Sequence, residues 1–156
     1  RQTLPSPWGR RALGLTALIY LQILLGALVA GNHAGLIYND FPLFNGRLLP
    51  DDYWAGGLWA TLAHSLGAVQ LHHRLVAYVL LFVALTMGVS AWRSSYLAPQ
   101  SKVLALSVTS AVVLQALLGV ATLMLRVPIG LAIAHQVVAA ITLALAVAFA
   151  WRVRRI

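Results

Sequence analysis

The chain has 156 residues, of which 61% are apolar and 9% charged, with a formal charge of +8 and no cysteine. A soluble domain carries about a quarter charged residues, so the composition excludes an ordinary soluble fold. The missing cysteine excludes disulfides, thiolate haem ligation and iron–sulfur clusters. Aromatics are almost absent among the basic residues at the chain ends, so no nucleic-acid partner is expected.

In chain order, residues 1–11 read as a basic tail, with 3–11 an exposed linker. A chain that starts on Arg1 rather than Met suggests that something is encoded upstream. About 20 apolar residues of helix cross the hydrocarbon core, and four such stretches follow, at 12–31, 69–92, 103–125 and 129–151. The segment 32–68 is a long loop rich in aromatics (Tyr38, Phe41, Phe44, Tyr53, Trp54, Trp59), and residues 54–69 are apolar enough for a short helix lying on the surface. Trp54 and Trp59 suit interface anchors as well as a functional loop. Arg126-Val127-Pro128 closes the second hairpin, with Pro128 suited to the first turn of the next helix. The fold class predicted is an all-α membrane protein, one four-transmembrane-helix domain over 12–156. Eight of the eleven basic residues flank one side of the spans, whereas Asp40, Asp51 and Asp52 lie in the opposite loop. Basic residues mark the cytoplasmic side. Both termini are therefore expected inside a bacterial plasma membrane, in contact with lipid, with the large loop outside.

An internal repeat organises the spans. Leu21-Gln22-Ile23-Leu24-Leu25-Gly26 in the first matches Leu114-Gln115-Ala116-Leu117-Leu118-Gly119 in the third. His73 to Tyr78 in the second matches His135 to Ala140 in the fourth, with Val76-Ala77 aligned to Val138-Ala139. The bundle thus reads as two repeated helical hairpins, each a Gln/Gly helix followed by a His helix.

An ionisable residue within a span is a functional hypothesis by default. At about 1.5 Å per residue, His73 and His135 fall at similar depth near the outer leaflet, on equivalent faces. Zinc would need further ligands and a di-iron bundle several glutamates, whereas haem needs two axial nitrogens and a flat apolar slot. Ala77 and Ala139, four residues on along the same face, leave room for a porphyrin, as do Gly26 and Gly119. Arg74 is placed to pair with a propionate. The competing reading keeps both histidines as interhelical hydrogen-bonding groups, with Gln22 and Gln115 in the same role and the small residues serving helix packing. His72 lies about 100° around the helix from His73 and cannot share its iron. His33 and His64 read as surface or pocket-rim residues.

The motifs Gly26-Ala-Leu-Val-Ala-Gly31, Ala34-Gly35, Tyr38-Asn39 and Phe41-Pro42-Leu43 resemble the haem A synthase family. So do Val69-Gln70, His73-Arg74-Leu75, Leu118-Gly119, Thr122-Leu123, Val127-Pro128 and His135-Gln136, in the family's order from about Leu21 to Ala140. The family builds eight helices from two four-helix halves, and the chain resembles the C-terminal half. The resemblance implies a haem b cofactor ligated by His73 and His135. It also implies an N-terminal half (or a second copy) as partner, haem O as substrate and haem A as product, through oxidation of a ring methyl to formyl. The catalytic glutamate of the N-terminal half would align near Gln70, and this chain contains no Glu at all. Acids expected beside Asn32-His33 and before the His-Arg pair are also missing. No catalytic residue is therefore expected here, and a small electron-transferring b-type cytochrome is the alternative.

Overall fold

The computed structural model describes residues 6–154. Among the described residues five α-helices make up the architecture: α1 (Pro7–Gly31), α2 (Gly57–Ala63), α3 (Leu66–Arg93), α4 (Pro99–Met124) and α5 (Ile129–Val153). α1, α3, α4 and α5 are each long and apolar enough to cross a membrane, as composition predicts. Among the described residues there is no strand, only an isolated bridge between Phe44 and Arg47.

α1 begins five residues before the expected span, which corrects the linker reading for 6–11. Ser6 accepts from the Gly9 amide as N-cap and Pro7 occupies the first turn, where its missing N–H costs nothing. The segment is helical and docked through Ser6 and Gly9, while Pro7, Arg10 and Arg11 stay exposed. The Ser6 hydroxyl and amide both donate to the end of α5, at Val153 and Arg154. A β-carbon on Gly9 would stand 3.0 Å from Arg154 Cα. Residues 1–5 of the tail, and Arg155, lie outside the described residues.

Packed helix pairs run in a ring, α1 with α3, α3 with α4, α4 with α5 and α5 with α1. α3 therefore faces α5 across a diagonal. The main buried cluster sits at the end that holds the chain termini: Ala12, Leu15 and Ile19 of α1, Leu80, Ala84, Met87 and Ala91 of α3, Ala105, Val108 and Val112 of α4, and Ala146, Phe149 and Val153 of α5. At the loop end Ala34, Phe44, Ala68 and Val69 are buried apart from it. Small residues let the backbones approach there. Gly88 of α3 takes the side chain of Thr109, whose hydroxyl donates across to the Ala84 carbonyl at 2.9 Å. In the other half of the bundle, no residue of α1, α4 or α5 from Gln22, Val113 or Thr142 towards the loop end is buried, Thr142 itself excepted.

The loop between α1 and α3 caps that open half. A 3-10 turn (Ala34–Leu36) follows α1, and α2 precedes α3. The predicted short surface helix is α2, and it ends at Ala63 so that α3 starts at Leu66. Ser65 caps α3 through the Ala68 amide. α2 turns Leu58, Trp59 and Leu62 outward and buries Thr61, a pattern suited to the plane of a membrane interface. In the α4–α5 connection Arg126 and Val127 both adopt left-handed backbone (φ 61° and 59°). This puts Pro128 just before the first turn of α5, as its N-cap, rather than within it.

Candidate functional site

His73 is the seventh residue after the start of α3, and His135 the sixth after the start of α5. At 1.5 Å per residue both imidazoles lie roughly 10 Å into the bundle from the loop end. The repeat is reproduced in geometry. A β-carbon on Gly26 of α1 would stand 3.1 Å from Cε1 of His73, and one on Gly119 of α4 would stand 3.1 Å from Cε1 of His135. Each His ring is thus seated against a glycine of the preceding helix, on diagonally placed helices. Gly26 and Gly119 were expected to open backbone to a porphyrin, and the space they leave is filled by the imidazoles themselves.

One turn before each glycine stands a glutamine. The Gln22 amide nitrogen lies 3.1 Å from Nδ1 and 3.3 Å from Nε2 of His73, and donates to the His73 carbonyl at 3.1 Å. The Gln22 amide is thus within hydrogen-bond distance of both ring nitrogens of His73, and which of them accepts depends on the ring's tautomer. Among the described residues His135 Nδ1 and Gln115 Oε1 are buried without a hydrogen-bond partner, as is Gln22 Oε1. Sequence reasoning reads the glutamines as interhelical hydrogen-bonding groups rather than site residues, and Gln22 does bond across from α1 to α3, but at the candidate ligand itself. Their spacing of four from the glycines in both halves was the available signal.

Ala77 and Ala139, one turn below the histidines, are half-buried and belong to no core cluster. Arg74 is 6% exposed and committed to the loop. It donates to the carbonyls of Pro42 (3.1 Å), Leu43 (2.8 Å) and Tyr38 (2.9 Å) and to Gln70 Oε1, and its guanidinium lies 4.0 Å over the Phe44 ring. Only its Nε remains without a partner. Gln70 in turn donates to Ala34 and Ile37, so Gln70 and Arg74 together bind the 3-10 turn and the aromatic loop to α3. His72 points away from His73 to Tyr53, whose hydroxyl is 3.1 Å from Nε2. His33 precedes the 3-10 turn with its Nδ1 3.1 Å from the Ala30 carbonyl, and exposed His64 ends α2 beside Trp59.

The loop's acids are structural too. Asp52 accepts from the Tyr38 hydroxyl (2.9 Å), the Gly67 amide (2.9 Å) and Ser65 (3.2 Å), at the start of α3. Burial acts to raise its pKa, but these donors outweigh it and hold the carboxyl below its usual value. Burial and the neighbouring Asp52 push the Tyr38 hydroxyl up. Asp40 shows the same balance as Asp52, its burial outweighed by the Asn45 and Gly46 amides.

Among the described residues no three His, Cys, Asp or Glu side chains converge as a metal site. Two imidazoles on opposed helices, at a level where the bundle has no tight core, fit a flat group that brings its own equatorial ligands. They do not fit a bare ion.

Comparison with known proteins agrees with the motifs. The haem A synthase of Caulobacter vibrioides is 56% identical over 150 residues, covering 96% of this chain and 44% of that protein. The haem A synthases of a second Caulobacter strain and of Maricaulis maris are 55% and 38% identical over 95% and 91% of the chain. The chain thus spans less than half the length of these relatives. No solved structure matches it. The family model described as cytochrome oxidase assembly protein (COX15-CtaA) matches residues 1–147. The chain therefore belongs to the COX15-CtaA family of cytochrome oxidase assembly proteins.

Proposed function

We propose that this chain is the haem-b-holding half of a haem A synthase, with His73 and His135 as the axial ligands. The observation that carries the reading is the pair of equivalent His–Gly seats on opposed helices. They lie where the bundle is not closed by a core. Haem b, when bound, supplies one-electron redox chemistry. The chain's own part is to hold two imidazoles at one depth, with Ala77 and Ala139 keeping the adjoining helix faces small. Arg74 holds the aromatic loop over the site, and its free Nε is the donor left to meet a propionate. The substrate would be haem O and the product haem A, its ring methyl oxidised to formyl at a site in an N-terminal half, or in a second copy.

In the same reading the four long helices form one domain in the bacterial inner membrane. Both termini face the cytoplasm and the α1–α3 loop faces outward, as the charge distribution supports.

Gln70 favours one competing reading, a b-type cytochrome without methyl-oxidising chemistry. It stands where a catalytic acid would align and is consumed by the loop and Arg74. Pigment analysis after co-expression with a haem O source separates the two: haem A formed by this chain alone excludes the cytochrome. The haem site is tested by the reduced-minus-oxidised spectrum of the purified chain. A six-coordinate b-type signal is expected, lost in both His73→Ala and His135→Ala. Its retention in both variants overturns the ligand assignment.

A further inference from the structure

We infer that Gln115 is a positioning residue for His135, its side-chain oxygen accepting a hydrogen bond from Nδ1–H of that imidazole, and that Gln22 does not play this part for His73. The inference rests on the haem reading above and concerns the inequality of the two ligands. An imidazole that gives Nε2 to a metal carries its proton on Nδ1 and can only donate there. An amide oxygen can only accept. His135 Nδ1 and Gln115 Oε1 are such a pair, both buried and both without a partner among the described residues.

They are also within reach of each other. A β-carbon on Gly119 would lie 3.8 Å from His135 Nδ1, and Gln115 is one turn earlier on the same face of α4. A buried polar atom left unpaired costs about 1–3 kcal/mol, so one side-chain rotation that joins these two removes both penalties. On the other side of the bundle the equivalent amide has its nitrogen committed, while its own Oε1 is without a partner as well. Gln22 directs its nitrogen to the ring nitrogens and to the carbonyl of His73, and a nitrogen cannot accept from Nδ1–H. The repeat has kept the residue and changed its use.

An acceptor on Nδ1–H raises the basicity of the ligand and favours the oxidised, more positively charged iron. The test is the midpoint potential and haem dissociation constant of the full chain reconstituted with haem b, in Gln115→Leu, Gln115→Glu and Gln22→Leu. Leucine is at home in a span, so Gln115→Leu keeps the fold. It should raise the potential and weaken haem binding about 10- to 100-fold, the usual effect of losing an outer-shell partner. Gln115→Glu keeps an acceptor, so it should retain haem and lower the potential. Gln22→Leu should move the potential less than Gln115→Leu does. Wild-type potentials in both Gln115 variants, with haem bound, overturn the inference and leave the haem reading standing. Failure of the wild-type chain to bind haem at all overturns both.

Discussion

Gly26 lies against His73 so closely that a β-carbon there would stand 3.1 Å from Cε1, nearer than ordinary van der Waals contact. The imidazole must therefore give by a few tenths of an ångström if alanine is introduced. Alanine also gains about 1 kcal/mol of helix propensity over glycine, so Gly26→Ala should leave the melting temperature unchanged or raised. Haem occupancy should fall at the same time. Gly26→Val, with its branched side chain, should abolish haem binding. Gly119→Ala and Gly119→Val should repeat the pattern against His135, and pyridine haemochrome content set beside the thermal melt checks it.

Arg74 is the tie between α3 and the aromatic loop. Arg74→Ala would leave the carbonyls of Tyr38, Pro42 and Leu43 without their donor, a loss of at least about 2 kcal/mol given hydrogen bonds to a charged group. Lysine offers one point charge in place of a planar fork, so Arg74→Lys should recover only part of it. Limited proteolysis should show cleavage within 37–56 rising in the order wild type, Arg74→Lys, Arg74→Ala.

Asp52 links stability to pH. Its carboxyl titrates below its usual 3.8 when folded. The contribution is therefore fully present above the unfolded value and is lost as pH falls through the lower, folded one. Asp52→Asn should remove that part of the acid dependence and lower the melting temperature at neutral pH, by the order of a lost helix cap, about 1 kcal/mol. Melts of both proteins between pH 3 and pH 7 would show the two curves converging at the acid end.

Gly88 tests the packed end independently of the site. A β-carbon there would stand 2.6 Å from Thr109 Oγ1, so Gly88→Val should force α3 from α4 and destabilise the fold by about 1–3 kcal/mol, as overpacking does. Gly88→Ala with Thr109→Ala should recover most of the loss, since the clashing atom is gone. Thermal melts in detergent read both.

The spans were legible because twenty apolar residues in a row have few other uses, and the repeat was legible because Gln22, Gly26 and His73 recur as Gln115, Gly119 and His135. The start of α1 was missed because Pro5 to Arg11 is rich in linker-like residues, whereas Ser6 and Gly9 are fixed by the distant end of α5. The glycine seats were read as room for a ligand since sequence gives spacing but not which ring occupies the notch. Arg74 drew attention for its charge. That its partners would be loop carbonyls depends on the path of 38–43, which no local pattern encodes.

The tight core at the termini end carries one further consequence, for the order of events during biogenesis. Phe149, Val108 and Ala84 interlock far from the histidines, so the sheath of helices closes without help from whatever fills its mouth. On the haem reading the packed end is therefore expected to form before loading, and a cooperative thermal melt of the haem-free chain in detergent would show it.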